Sequence, residues 1–318
     1  MDVLAELLDG TRARGGLFHQ LLVSPPWSLR VQDGAPLALY TLLRGGGWIT
    51  PAEGPPVRLD EGDVAVVCGP DPYVVADEPW PAGRTPQLVI HPDDTCTTPD
   101  GTPLCAELAL GVRTWGQGTE GGARLVNGTY LLGGEVSGRL LAALPPVLVV
   151  RARACPCPVL PMVAEEVVRD APGQQAVLDR LLDLMLISTL RAWFDRPGGQ
   201  PPAWYRAQAD PVVGPALRHL HADPARAWTV GALAAAVGVS RAALARRFTE
   251  LVGEPPIAYL TGWRMDLAAD LLREPGATVG AVARRVGYAS AFALSTAFKR
   301  HRGVAPSAYR TGAPATAG

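Results

Sequence analysis

Lysine is all but missing from this 318-residue chain: Lys299 is the single one, and arginine supplies the rest of the 29 basic residues. Such a bias fits a GC-rich coding sequence, so arginine counts alone say little about function. Long apolar runs are missing too. The longest candidate, residues 181–194, falls short of the roughly 18 residues a spanning helix needs. It is also broken by Asp183, Ser188 and Arg191, which excludes a transmembrane helix and with it a membrane partner. The opening MDVLAELLDGTRARGG lacks the basic, apolar and small-residue order of a secretion signal, so a cytoplasmic location is expected. Cysteine is scarce: Cys68, Cys96, Cys105, Cys155 and Cys157 all fall in the first half, and a reducing compartment leaves them without a disulfide framework.

What is present divides the chain in two. Its length is enough for two domains that each bury a core. The formal net charge of −1 hides an asymmetry, since 13 Lys and Arg face 6 Asp and Glu from Pro211 onwards, giving +7 there and −8 before it. A basic C-terminal part beside an acidic N-terminal one suits a nucleic-acid reader joined to something that should not stick to DNA.

The basic part contains one helical unit written twice, 49 residues apart. Thr229, Val230 and Gly238 meet Thr278, Val279 and Gly287. After one inserted residue at Ala289, Ser240, Phe248, Gly253, Pro256 and Tyr259 meet Ser290, Phe298, Gly303, Pro306 and Tyr309. Each copy has a short apolar-periodic run, a glycine for a tight turn, a serine able to cap, and a second helix whose buried stripe is Leu244, Phe248 and Leu251, or Leu294 and Phe298. That is the grammar of a helix-turn-helix. The faces left over carry Arg241, Ala242, Ala245, Arg246 and Arg247 in the first copy, and Ser290, Ala291, Phe292, Ser295, Thr296, Lys299, Arg300 and Arg302 in the second. Arginine can reach guanine edges in the major groove, and hydroxyl and basic groups can grip phosphate. Two such units joined by the rigid apolar helix after Pro256 would set their second helices about one DNA turn, on the order of 34 Å, apart.

This region resembles the DNA-binding domain of the AraC/XylS family, down to its closing signature, here Gly287, Tyr288, Ser290, Ser295, Phe298, Lys299, Gly303, Pro306, Tyr309 and Arg310. By face, Arg241, Ala242, Ala245 and Arg246 are best placed for base edges, with Arg247 on phosphate or at the surface. The resemblance places Ala291, Phe292, Ser295 and Thr296 in the groove of the second unit, with Lys299 and Arg300 on phosphate. Ala291 and Phe292 stand where the family often has longer polar groups, which suggests thymine-methyl contact or weaker specificity at that helix.

The first half reads as short strands with Gly and Pro turns between them, the pattern of a barrel or sandwich. The run from Pro56 to Val64, PVRLDEGDV, resembles the strand, turn and strand of cupin barrels. Cupin metal sites resemble a His-x-His pair with a carboxylate and a later His, whereas this half holds only His19 and His91, and Tyr73 stands where such barrels often carry a His. No metal, cofactor or catalytic residue is therefore expected. Trp27, Tyr40, Trp48 and Tyr73 are candidates to line a ligand pocket, or else they fill the barrel core. Cys96 and Cys105 in an irregular loop, and Cys155 and Cys157 around one proline, are candidate thiol sensors, an incidental soft-metal site together with His91, or residues without a function. From Met162 to Phe194 the pattern turns helical and apolar on most sides, so that Leu178, Leu182, Met185 and Leu190 either pair with a second chain, as the family resemblance implies, or pack within their own.

The expected fold is α+β multidomain: a cupin-like sensor barrel over 1–154, a helical dimerisation segment over 155–196, a linker over 197–210, an all-α double helix-turn-helix over 211–312, and a flexible tail over 313–318. The expected function is a non-enzymatic, homodimeric transcription regulator binding double-stranded promoter DNA, controlled by a small-molecule or redox effector, with RNA polymerase as a further partner. A constitutive DNA-binding protein whose barrel serves only oligomerisation, and a metal-dependent cupin enzyme with an accessory DNA-binding domain, are the alternatives.

Overall fold

The computed structural model describes residues 4, 18–92, 95–111, 113–118, 122–130 and 134–310, without the side chains of Phe18 and Cys105. The expected tail over 313–318 lies outside the described residues. The chain forms two compact units, one of Thr11–Leu132 and Leu141–Gly199, the other of Met1–Gly10, Gly133–Leu140 and Gln200–Gly318.

The first unit is β-rich. A seven-stranded sheet runs β10 (Ala109–Gly111), β11 (Thr114–Gly116), β1 (Phe18–Val23), β12 (Ala123–Tyr130), β3 (Leu37–Arg44), β6 (Val64–Cys68) and β13 (Val147–Val150). A six-stranded sheet runs β5 (Val57–Leu59), β4 (Gly47–Thr50), β7 (Tyr73–Ala76), β2 (Ser28–Val31), β8 (Leu88–Ile90) and β9 (Cys96–Thr97). Side chains alternate across a strand, so every second residue looks inward. Ala38, Tyr40 and Leu42 of β3 thus join Leu29, Val31, Ile49, Tyr73, Val75 and Leu125 in one core shared by both sheets.

The intervening residues of β3, Leu37, Leu39 and Thr41, are buried as well. A sheet apolar on both sides needs a cover on its second face. Helices α1 (Cys105–Leu108) and α3 (Leu160–Glu166) are short, α2 (Glu135–Leu141) belongs almost wholly to the other unit, and the cover is α4 (Gln174–Asp195). The Tyr130 hydroxyl donates to the Leu182 carbonyl at 2.7 Å, and a Cβ on Gly128 would stand 2.5 Å from a Leu182 methyl. Leu178, Leu182, Met185 and Leu190 are all fully buried within this one chain. They therefore cannot pair with a second chain: the apolar stripe is consumed by the sheet beneath it, and Val177 and Leu184 are the large apolar residues that α4 turns outward.

The second unit is helical: α5 (Ala203–Ala207), α6 (Val213–Ala222), α7 (Val230–Ala236), α8 (Arg241–Val252), α9 (Pro256–Arg273), α10 (Val279–Arg285), α11 (Ala291–Arg302) and α12 (Pro306–Arg310). Two sequence-based boundaries shift here. The segment expected as a linker over 197–210 folds into α5, which packs on α8 and buries Ala207 completely. Residues 134–140, expected within the barrel over 1–154, belong to the helical unit, because charged groups on α9 and α11 hold them. Asp270 accepts from the Glu135 and Val136 amides at 2.6 and 3.1 Å, Arg302 donates to Glu135 at 2.7 Å, and Tyr309 donates to Glu135 at 2.6 Å. Asp266 is gripped by both Arg139 and Arg302.

The Gly128–Leu182 contact gives a direct test. Leu182→Ala should lower stability by about 2–5 kcal/mol through the cavity it leaves. Gly128→Ala should also destabilise, and the double variant should lose less than the sum of the two, because each change makes room for the other. Urea titration of the four proteins measures that coupling.

Candidate nucleic-acid interface

A helix presents a defined face only if its start is fixed, and the doubled unit fixes its starts with hydroxyl caps. Thr229 and Thr278 accept from the amides of Ala232 and Ala281 at 3.0 and 3.2 Å. Ser240 and Ser290 do the same for Ala243 and Ala293 at 3.2 and 3.1 Å. Glycine closes each element. Gly253 and Gly303 take φ of 93° and 77° at the ends of α8 and α11, a left-handed backbone that a side chain would strain. The helix, turn and helix is thus built twice on one plan.

With both starts fixed, burial sorts the faces. Leu244 and Phe248 point into the first copy's core, and Leu294 and Phe298 into the second's, all four fully buried. On α8 the opposite side leaves Arg241, Ala242 and Arg246 exposed and Ala245 half-buried. Arg246 reaches Glu250 one turn on at 3.3 Å, a solvent-exposed pair that any stronger partner can displace. On α11 Ser290, Ala291, Phe292 and Thr296 are exposed and Ser295 is half-buried, with Lys299 and Arg300 following in the last turn. Phe292 is 82% exposed, the most exposed large apolar side chain among the described residues.

Arg247 behaves differently from its neighbours. Its guanidinium straddles Asp210, with Nε at 3.0 and 2.8 Å from the two oxygens and Nη2 at 2.7 Å. Asp210 also accepts from the Val212 and Val213 amides at 2.9 Å, so one carboxylate both starts α6 and ties α8 to it. Arg247 sits at the surface as one of the two expected placements had it, but its charge is already committed to Asp210 and it is not a free phosphate grip.

Sequence reasoning missed the cluster behind α11 and placed Arg302 on the outward face. Asp266, Asp270, Glu135, Arg139 and Arg302 hold α11 from its inner side, and Arg302 is turned to Glu135 and Asp266 because those carboxylates, one half-buried and one buried, need a countercharge. Burial is the largest influence on Asp266 and raises its carboxyl above the usual range, against the pull of Arg139 and Arg302. The available signal was an aspartate at i and i+4 on the apolar face of α9, where charge needs a partner.

The sensor candidates scatter. Trp27 and Tyr40 line a cavity of about 90 Å3 between the two sheets. Tyr73 is buried beside it, its hydroxyl 2.7 Å from that of Tyr40, and burial pushes both phenols up. Trp48 leaves the pocket set: it alternates with buried Gly47 and Ile49 and so faces outward, with the Arg58 guanidinium 5.7 Å from its ring. Cys96 is buried in the cavity wall, Cys155 is exposed and Cys157 is half-buried, whereas the Cys105 side chain lies outside the described residues. His91 is held by Gln32 at 3.4 Å and Thr97 at 3.0 Å, and among the described residues no three His, Cys, Asp or Glu are grouped to hold a metal ion. No described helix is long and apolar enough to cross a membrane.

The Asp210 tie is testable by pH. Arg247 holds the Asp210 carboxyl down at about 2, from an ordinary 3.8. A depressed carboxyl stabilises the fold above its unfolded value and loses that contribution as pH falls through the folded one. Asp210→Asn should flatten the pH dependence of Tm between about 4 and 2 while keeping the helix start. Asp210→Ala, which also removes the acceptor for Val212 and Val213, should cost about 1 kcal/mol more.

Comparison with known proteins agrees with this architecture. Residues 2–195 match the cupin family and residues 233–312 match the helix-turn-helix domain family. A Streptomyces lividans protein described as an AraC-like transcription regulator is 33% identical over 316 residues, covering 98% of each chain, and one from Streptomyces antibioticus matches equally. The HTH-type transcriptional regulator AlkR of Acinetobacter baylyi is 36% identical over 148 residues, 46% of this chain and 48% of that one. With the doubled helical unit at one end and the cupin fold at the other, the chain belongs to the AraC-like family of transcription regulators, DNA-binding proteins rather than enzymes.

Proposed function

We propose that the protein is a sequence-specific regulator that binds double-stranded promoter DNA through both copies of the doubled unit, under control of a small molecule received in the β-rich unit. The observation that carries this reading is the matched pair of capped helices, each burying one stripe and leaving its groove-reading candidates in water. Their chemistry differs. Arg241 and Arg246 can form bidentate hydrogen bonds to guanine, whereas Ala291 and Phe292 can offer only apolar contact, best suited to a thymine methyl. The first copy carries most of the base specificity, and the second acts as a clamp in which Lys299 and Arg300 grip phosphate.

The cavity favours a small-molecule signal. Thiol control remains a second reading, favoured by one observation, the exposure of Cys155 two residues from Cys157. Self-association through the middle segment would use the outward Val177 and Leu184 of α4.

Footprinting the purified protein across its own upstream region tests the main reading, since a regulator of this kind protects a discrete site and a non-specific binder does not. Arg246→Ala should weaken the specific site by about 1–3 kcal/mol. Phe292→Ala should cost less and act only on operators with a thymine in the second half of the site. Unchanged affinity in Arg246→Ala would overturn the base-contact assignment. For thiol control, the operator titration is repeated with oxidant, and a Cys155→Ser protein that responds like the parent removes that reading.

A further inference from the structure

The short helix α2 touches both copies of the doubled unit. At its start, Asp270 of α9 accepts from the Glu135 and Val136 amides at 2.6 and 3.1 Å. One turn further on, Arg139 pairs with Asp266 of the same helix. Asp266 and Asp270 are themselves one turn apart on one face of α9, so a turn of α2 lies along a turn of α9 and runs the opposite way. Two glycines let the helices come that close. A Cβ on Gly134 would stand 2.7 Å from the Asp270 carboxylate, and one on Gly262 would stand 2.7 Å from the Arg139 guanidinium.

The two ends of α2 reach different copies. Arg139 holds its guanidinium 5.7 Å from the ring centres of Tyr259, which closes the first copy, and of Trp263, one turn further along α9. Glu135 accepts from the Tyr309 hydroxyl at 2.6 Å and from Arg302 at 2.7 Å, both in the second copy. Tyr259 and Tyr309 occupy equivalent positions of the repeat. Each meets edge-on the buried phenylalanine of its copy's second helix, Phe248 of α8 at 5.8 Å and Phe298 of α11 at 5.3 Å between ring centres. A helix from outside the repeat is thus one side chain away from both α8 and α11. Helix packing favours certain crossing angles without fixing one, and directional charged contacts supply what packing leaves open.

We propose that α2 is a brace for DNA binding, in which Glu135 and Arg139 are positioning residues that set the mutual geometry of α8 and α11, and with it the half-site spacing the protein accepts. The assignment rests on the reading of both copies as DNA readers. It adds residues 134–140, far from the repeat in the chain, to the apparatus that selects the operator. A base pair inserted between two half-sites moves one of them by about 3.4 Å and turns it by about 35° around the duplex axis. Braced helices cannot follow that displacement. Loosened ones can, but they must then be ordered on binding, which weakens their hold on the original site.

The test uses the full-length protein and three operators: the site defined by footprinting, the same site with one base pair inserted between its halves, and the site with its second half scrambled. Gly262→Ala is the main variant. Alanine suits a helix interior better than glycine, so α9 keeps its structure while the new methyl group displaces Arg139. Glu135→Gln, which keeps an acceptor for Tyr309 and removes the charge facing Arg302, is the second, and it decides alone should circular dichroism show Gly262→Ala unfolded. The parent should bind the lengthened site about tenfold more weakly than the original, the scale of one mismatched base pair. Each variant should bind the original about threefold more weakly than the parent does, and should lose no more than about twofold on the lengthened site. Variants that keep the parent's spacing preference overturn the proposal. So does a variant that binds the original site more tightly than the parent, the mark of a restraint and not of a brace, and so does a parent indifferent to the inserted pair. Scrambling separates this proposal from the reading beneath it. A parent whose affinity survives the scrambled half sinks the two-copy reading and the brace together, whereas a parent that loses affinity there, with variants that keep its spacing preference, sinks the brace alone.

Discussion

Four hydrogen bonds from backbone amides to hydroxyl oxygens fix the starts of the four helices of the doubled unit. A helix turns 100° per residue, so moving its first residue by one would rotate every outward side chain by more than a quarter turn. Thr229, Ser240, Thr278 and Ser290 forbid that slip by fixing where α7, α8, α10 and α11 begin. Leu244 and Phe248, like Leu294 and Phe298, then have one way to face, and the candidate reading residues have the other. The individual caps are worth only about 1 kcal/mol each. Their structural effect lies in phase, which no amount of apolar burial could specify so sharply.

Behind those faces the unit is held by charge as well as by packing. Asp266 is buried, and a buried carboxylate is tolerable only when its oxygens are occupied. Arg139 and Arg302 occupy them, and Arg302 lies on α11 itself, so the inner side of that helix is anchored electrostatically. On α8 the comparable tie is Arg247 to Asp210. Both α8 and α11 therefore have one arginine turned to protein and other basic groups turned to water, and arginine count alone would not distinguish the two roles.

The parts legible in the sequence are those whose signals are local. The repeat, its caps and glycines and its buried stripes come from spacing within a dozen residues, and all reappear in α7 to α12. The β-rich half was legible as a class from its alternation and turns. What escaped depended on distant partners. The inward face of α4 could not be told from a dimer face, because an apolar stripe looks the same whether a sheet or a second chain covers it. Trp48 went wrong by strand phase, since a one-residue error on a strand exchanges inside for outside. The segment over 197–210 looked like a linker by composition, yet Ala207 and Asp210 take part in the helical unit. Residues 134–140 carried no signal of their own, because what places them is the pair of aspartates on α9, far along the chain.

That last placement has a consequence for dissecting the protein. Residues 134–140 follow β12, whose Asn127 and Thr129 line the cavity, and only a few residues lie between Thr129 and Glu135. The helical unit is therefore not a contiguous stretch of sequence. A fragment cut at residue 200 keeps both α8 and α11 but leaves behind Glu135 and Arg139, so that Asp270 loses its amide donors and Asp266 one of its two arginines. Such a fragment is a different molecule from the unit in the intact chain, and DNA affinities measured on it would describe helices stripped of the partners that residues 134–140 supply.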